Sequence, residues 1–245
     1  MTDPLVVRQD ADGVATLTLN RPEKLNALTP AVFIELRQHV DALADDGSIG
    51  CVILGGAGRS FCAGNDLAGI SSGVKAPTPH FQAETIDALE ALPKPTIARI
   101  QGHCFTGGLE LALGCDLLVA AESAQFGDTH GQWGLIASWG MTVRLPERVG
   151  VAKAKELMYT ARRISGADAA AMGLANAAVV LDGLDAAVAD LAAEIVANSW
   201  DTSTFDKAIL SDTRDMARPD ALAYERSHPY GNPRDMAERM AAGGR

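Results

Sequence analysis

The sequence predicts an α/β fold on three observations. Short β-rich runs recur through the first half, amphipathic helical patterns lie between them, and the second half is dominated by alanine-rich helical stretches. At 245 residues, with 47% hydrophobic and 21% charged residues, the chain is long enough to bury a sizeable core. One domain is expected, with residues 1–198 as its core and 199–245 as a helical extension.

The elements follow in order. Val6-Val7 and the alternating Val14-Ala-Thr-Leu-Thr-Leu19 flank Asp12-Gly13, a dipeptide that suits a tight hairpin turn. Thr29-Pro30 supplies a cap and a proline at the first helical position, and Val32, Leu36, Val40 and Leu43 recur at helical spacing, so a helix runs to about Asp46-Gly47. Cys51-Val-Ile-Leu54, Thr96-Ile-Ala-Arg-Ile100 and Leu117-Leu-Val-Ala-Ala121 read as strands. Between the first two lie a turn-rich, mobile loop from Ala68 to Pro79 and a helix carrying Ile86, Leu89 and Leu92. Beyond Gly140, helices are expected over Val151–Tyr159, Ser165–Leu174 with Ser165 as cap, and Leu184–Asn198. Three short helices follow between Thr202 and Ala242, broken at Pro219 and at His228-Pro229-Tyr230-Gly231.

The formal charge of −10 opposes non-specific attraction to nucleic acid or to an anionic membrane, so an anionic ligand needs a local basic pocket. Cys51, Cys62, Cys104 and Cys115 lack CxxC spacing and sit among small or apolar residues, which predicts buried free thiols in a reducing compartment. The first residues lack the basic-then-apolar order of a signal peptide, and no long apolar run is present, so the expected location is cytoplasmic.

Two glycine-bearing loops end strands: Gly55-Gly-Ala-Gly-Arg-Ser-Phe-Cys-Ala-Gly-Asn-Asp-Leu67, and Gln101-Gly-His-Cys-Phe-Thr-Gly-Gly-Leu-Glu-Leu-Ala-Leu113. In the second, Gly107-Gly108 precedes a helix-favouring run, so amide N–H groups there suit an anion or a developing oxyanion. Neither loop fits a phosphate-binding signature, and glycine in such turns commonly serves geometry alone. Glu110, one turn into that helix, places a carboxylate within reach of whatever the amides hold.

The segments Arg21-Pro-Glu-Lys-Leu-Asn-Ala-Leu28, Ser60-Phe-Cys-Ala-Gly-Asn-Asp-Leu67, and Gly102 through Gly-Gly-Leu-Glu-Leu-Ala-Leu-Gly-Cys-Asp116 resemble the crotonase, or enoyl-CoA hydratase/isomerase, superfamily. Ala124-Gln-Phe-Gly127, Arg144-Leu-Pro-Glu-Arg-Val-Gly150 and Ile164-Ser-Gly-Ala-Asp168 onwards follow in the same order, from about Val6 to Val180. The resemblance implies a spiral of ββα units with a C-terminal helical trimerisation region, a homotrimer or hexamer, and an acyl-CoA thioester as substrate. It implies no metal and no cofactor beyond the coenzyme A of the substrate. By motif, the backbone N–H groups of Asn65 and Gly107 form the oxyanion hole, and Glu110 activates a water for attack at the β-carbon. Lys24, Ala27, Ala63, Asp66 and Leu67 fall on the path of the coenzyme A.

One position departs from the pattern. Where the family usually shows Pro-Glu, this chain has Thr129-His130 within Asp128-Thr-His-Gly131. An imidazole with an ordinary pKa near 6.5 can give or take a proton at neutral pH, so His130 is the expected second catalytic group. Ordering the loop is the alternative role, and Asp128 is a candidate partner for the ring. His103 is expected to be structural, and Trp133 and Trp139 to fill core. The implied reaction is hydration of an α,β-unsaturated acyl-CoA. Other enolate chemistry (isomerisation, decarboxylation or C–C cleavage) and acyl-CoA binding without catalysis stay open.

Overall fold

The computed structural model describes residues 3–66 and 74–243. The hairpin forms where alternation and turn chemistry coincide: β1 (Val6–Ala11) and β2 (Val14–Leu19) pair antiparallel. Asp12 and Gly13 join them at φ 51 and 79, and two successive positive φ values match the twist of the flanking strands. In α1 (Pro30–Ala44) the Thr29 hydroxyl accepts from Val32 N at 3.3 Å, and Val32, Phe33, Leu36, Val40 and Leu43 are buried.

A repeated path builds the body of the molecule. β3 (Cys51–Gly56) lies parallel between β2 and β4 (Thr96–Ile100), and is buried along its whole length. After each such strand the chain steps sideways into a second, smaller sheet and returns through a helix. β3 is followed by the bridging residue Cys62 and then α2 (Phe81–Glu90). β4 is followed by β5 (His103–Phe105) and α3 (Gly107–Leu113). Next come β6 (Leu117–Ala121), β7 (Gln125–Gly127) and α4 (Met141–Thr160). These are successive ββα turns of a spiral. β8 (Ile164–Ser165), α5 (Gly166–Ala171), β9 (Ala177–Val179) and α6 (Leu184–Ala197) close it. The large sheet has the order β1-β2-β3-β4-β6-β9 and the small one β5-β7-β8. All four cysteines are buried and unpaired.

The helical tail comprises α7 (Trp200–Thr213), α8 (Arg218–Arg226) and α9 (Met236–Ala241), none of which has a buried residue. Lys207 anchors α7 to Asp116 at 2.7 Å. No helix among the described residues is long and apolar enough to cross a membrane.

Several boundaries differ from the sequence reading. α4 begins at Met141 rather than at Val151, because two helical pieces abut across Gly150 at φ 75. α5 has the expected Ser165 cap, reinforced by Asp168 as a capping box, but stops at Ala171. Pro219 lies in the first turn of α8, where a missing N–H costs nothing, and the break falls before it. Of the loop expected to be mobile, residues 68–73 lie outside the described residues, and residues 74–79 belong to no helix or strand.

Gly102 makes the sidestep from β4 to β5 possible. Its φ is 57, and a Cβ there would overlap the Arg59 carbonyl oxygen. Around it, Phe61 N donates to Gln101 O (2.7 Å) and Cys62 N to His103 O (2.8 Å). Gly102→Ala is expected to cost about 2 kcal/mol or more, through positive φ and backbone overlap together. A urea unfolding midpoint equal to that of the unsubstituted chain would show instead that this turn yields.

Candidate active site

Asn65 is oriented by one bridge. Leu28 N donates to Gly64 O at 2.8 Å, and Asp66 N donates to Leu28 O at 2.8 Å. Successive peptide groups of an extended chain face opposite sides, so the N–H of Asn65 is turned away from Leu28. Gly107 lies on that side: a Cβ built on it would stand 3.5 Å from Asn65 N. As the first residue of α3, Gly107 also has an N–H without an intrahelical acceptor. Neither amide has an acceptor among the described residues.

Thr106 aims the start of α3. Its φ of 52 and ψ of −115 form a conformation that β-branched residues rarely adopt. The strain is held by Thr106 N donating to Gly127 O (2.9 Å) and by contact between the Thr106 and Thr129 hydroxyls (2.5 Å). Glycine is required at position 107, since a Cβ there would meet Trp139 Cζ3 at 2.5 Å.

Glu110 is 1% exposed. Its Oε1 accepts from the backbone N–H groups of Trp139 (2.8 Å) and Met141 (3.3 Å). Burial raises the carboxyl pKa above its ordinary 4.5, against the pull of those amides and of His130. The free oxygen, Oε2, stands 3.7 Å from His130 Nε2.

His130 opens a 3-10 turn that ends at Trp133. On its other side, Nδ1 lies 2.5 Å from Asp128 Oδ1, which also accepts the His130 backbone N–H at 3.2 Å. Burial of the ring disfavours its charged form. The hydrogen bond to Asp128 and the charges of Asp128 and Glu110 outweigh that effect, so the pKa rises above 6.5.

Asn65, Gly107, Glu110 and His130 line one cavity of 260 Å³, with Ala63, Trp133, Ile136 and Trp139 among its walls. Larger depressions lie elsewhere, one of 830 Å³ beneath α7 and one of 470 Å³ beside Arg162. Charged groups there neutralise one another, as in Lys207–Asp116 and Lys153–Glu156. Among the described residues, only the smaller cavity combines two backbone N–H groups with two facing titratable side chains of raised pKa, an arrangement suited to enolate chemistry.

Comparison with known proteins agrees. The model of the enoyl-CoA hydratase/isomerase family matches residues 9–238. The chain belongs to the enoyl-CoA hydratase/isomerase family. It is 34% identical over 226 residues to the probable peroxisomal enoyl-CoA hydratase 1 of Arabidopsis thaliana, covering 91% of this chain and 85% of that one. It is also 34% identical over 237 residues to the peroxisomal Δ(3,5)-Δ(2,4)-dienoyl-CoA isomerase of the same plant, covering 89% and 85%. The solved structure of enoyl-CoA hydratase from Bacillus anthracis superposes with a TM-score of 0.91 at 32% identity, over 97% of this chain and 95% of that one.

Within this family member, the remaining expected site residues are placed unevenly. Ala63 reaches the cavity, Ala27 is half-buried near it in sequence, and Lys24 is exposed at the end of a 3-10 turn. Arg21 is tied to Asp66 at 3.0 Å and to the Ala27 carbonyl oxygen, so it serves the scaffold. Leu67 lies outside the described residues. His103 bonds Ser60 Oγ at 2.9 Å, as expected of a structural residue. Trp139 packs on Phe33 with ring centroids 5.1 Å apart, but also walls the cavity. Trp133, expected in the core, is 65% exposed at the cavity rim, because the 3-10 turn carries it outward.

Thr106 and Arg144 support the site, and nothing in the residue order points to either. The Arg144 guanidinium donates to Trp139 O (2.9 Å), Asp87 (2.6 Å) and Glu90 (2.5 Å), and so pins the turn whose amides hold Glu110. Arg144→Met is expected to cost about 1–3 kcal/mol, the loss of charge-assisted hydrogen bonds to partly exposed carboxylates. Chemical denaturation checks this, and a shift below 0.5 kcal/mol, the ordinary surface range, would show that the turn stands without its clamp.

Proposed function

We propose that this family member adds water across the α,β double bond of an acyl-CoA thioester. The observation that carries this reading is the opposition of Glu110 and His130, 3.7 Å apart, in the cavity onto which the Asn65 and Gly107 amides open. The thioester oxygen accepts from those two amides. Glu110 takes a proton from water as the water oxygen bonds to the β-carbon, and the displaced π electrons reach the thioester oxygen as an enolate. Both N–H groups then stabilise the charge that develops there. His130 Nε2 supplies the proton that the α-carbon takes up.

Lys24 fits a phosphate of the coenzyme A, and Ala27, Ala63 and Asp66 lie along its path by motif. The tail helices α7–α9, none of whose residues is fully buried within the chain, suit the assembly surface of a homotrimer or hexamer.

The test is loss of enone absorbance from crotonyl-CoA and from longer 2-enoyl-CoA thioesters. Binding without turnover across that panel would make the protein an acyl-CoA binder. Turnover only of a dienoyl-CoA would favour isomerisation, the activity named for one of the relatives.

Two outcomes are expected. Glu110→Gln keeps acyl-CoA binding but lowers hydration by about 10²–10⁴-fold, the usual weight of a general base. Unchanged turnover would remove Glu110 from the mechanism. The second concerns pH. Hydration needs the Glu110 carboxylate and the His130 imidazolium, so kcat/KM rises as pH climbs through the Glu110 value, above 4.5. It falls as pH passes the His130 value, above 6.5. His130→Ala loses the alkaline limb, and a profile that keeps it would return His130 to ordering the loop.

A further inference from the structure

Asp128 belongs to neither the oxyanion pair nor the acid–base pair, yet it is 3% exposed and its carboxylate is turned inward. A single oxygen, Oδ1, holds both the ring Nδ1 and the backbone N–H of His130, at 2.5 and 3.2 Å. With ring and backbone both attached to one buried atom, the imidazole has no freedom to flip, and Nε2 is the nitrogen left facing Glu110.

Glu110 is held in a matching way. Its Oε1 is occupied by the amides of Trp139 and Met141, which leaves Oε2 towards the ring. The charged groups acting on His130 are Asp128, leaving β7, and Glu110, on α3. Gln132, in the same 3-10 turn, donates from its side-chain Nε2 to Ala161 O at 3.2 Å and so ties the turn to the residue that follows α4.

We propose that Asp128 is a positioning residue that fixes the His130 tautomer with its proton on Nδ1, so that Nε2 serves as the shuttle between Glu110 and the α-carbon. The proposal rests on the hydration reading above. In each turnover a water O–H bond breaks, its proton goes to Glu110 Oε2, and the oxygen bonds to the β-carbon. The enolate then takes the Nε2 proton at its α-carbon, leaving neutral His130 with Nδ1–H on Asp128. The proton on Glu110 crosses to Nε2 and restores the starting state: the product carries one hydrogen of the water on its new hydroxyl and the hydrogen that His130 held on its α-carbon, and the water's second hydrogen replaces that one on Nε2. A histidine without this partner would divide between two tautomers, and the one protonated on Nε2 cannot take up the returning proton there.

The test is Asp128→Asn, which keeps the shape and removes the charge. kcat for crotonyl-CoA hydration is expected to fall by about 10–10³-fold, as when a carboxylate partner of a catalytic histidine is neutralised. KM stays unchanged, and the alkaline limb of the pH profile moves to lower pH. In the His130→Ala background the same substitution adds no further loss. A loss that adds fully to that of His130→Ala, with the alkaline limb unmoved, would make Asp128 merely structural and overturn the proposal.

NMR titration of the His130 imidazole, assigned by its absence from His130→Ala, provides a readout independent of activity. A value above 6.5 that drops in Asp128→Asn is expected. A value at or below 6.5 in the unsubstituted protein overturns the proposal, even if the Asn variant fails to fold. Should the protein hydrate no enoyl-CoA, the hydration reading fails, while the titration still shows whether Asp128 holds the ring.

Discussion

The site depends on keeping one carboxylate dry. Glu110 is taken out of water and given two main-chain amides in return, on one oxygen only. That asymmetry matters more than the burial itself. Had both oxygens been bonded, the group would be a structural anion with a depressed pKa. With one oxygen bonded and the other opposed to an imidazole, burial pushes the acid upward while the geometry keeps one atom available for proton exchange.

Support for this arrangement reaches well outside the cavity. The amides that hold Glu110 lie on the Trp139–Met141 turn, Arg144 grips the carbonyl of the same turn, and Arg144 is itself held by two carboxylates of α2. A helix from an early ββα turn thereby braces a loop from a late one. The spiral makes that possible, because each sidestep from large to small sheet stacks the next unit on the last.

Much of this was legible from residue order. Asp12-Gly13, Thr29-Pro30 and Ser165 each combine a backbone preference with a flanking hydrophobic period, and each marks its element where the structure has it. The central strands were legible because they are buried on both faces and so read as unbroken apolar runs. Helix α4 was read too short, since Pro146 and Gly150 both argue locally against a helix that packing nevertheless assembles. Of the site, the glycine pair and Glu110 stood out by position. Asp128 was legible only as a candidate partner for His130, because residues two apart in a chain often face opposite ways; the 3-10 turn that starts at His130 folds the ring back onto that carboxylate. The exposed rim of Trp133 and Ile136 was hidden for a similar reason: an aromatic residue in a loop reads as core until the loop's direction is known.

Thr106 couples the two halves of the cavity. It tolerates an unfavourable backbone conformation, a local penalty of about 1–3 kcal/mol, and its hydroxyl reaches across to Thr129, next to His130 in the chain. Replacing it with glycine would relax the main chain while cutting that crosslink. Thermal robustness and accurate alignment are therefore opposed at this single residue. A search for hardier variants would find gains here that are bought with a looser fit between the amide donors and the imidazole.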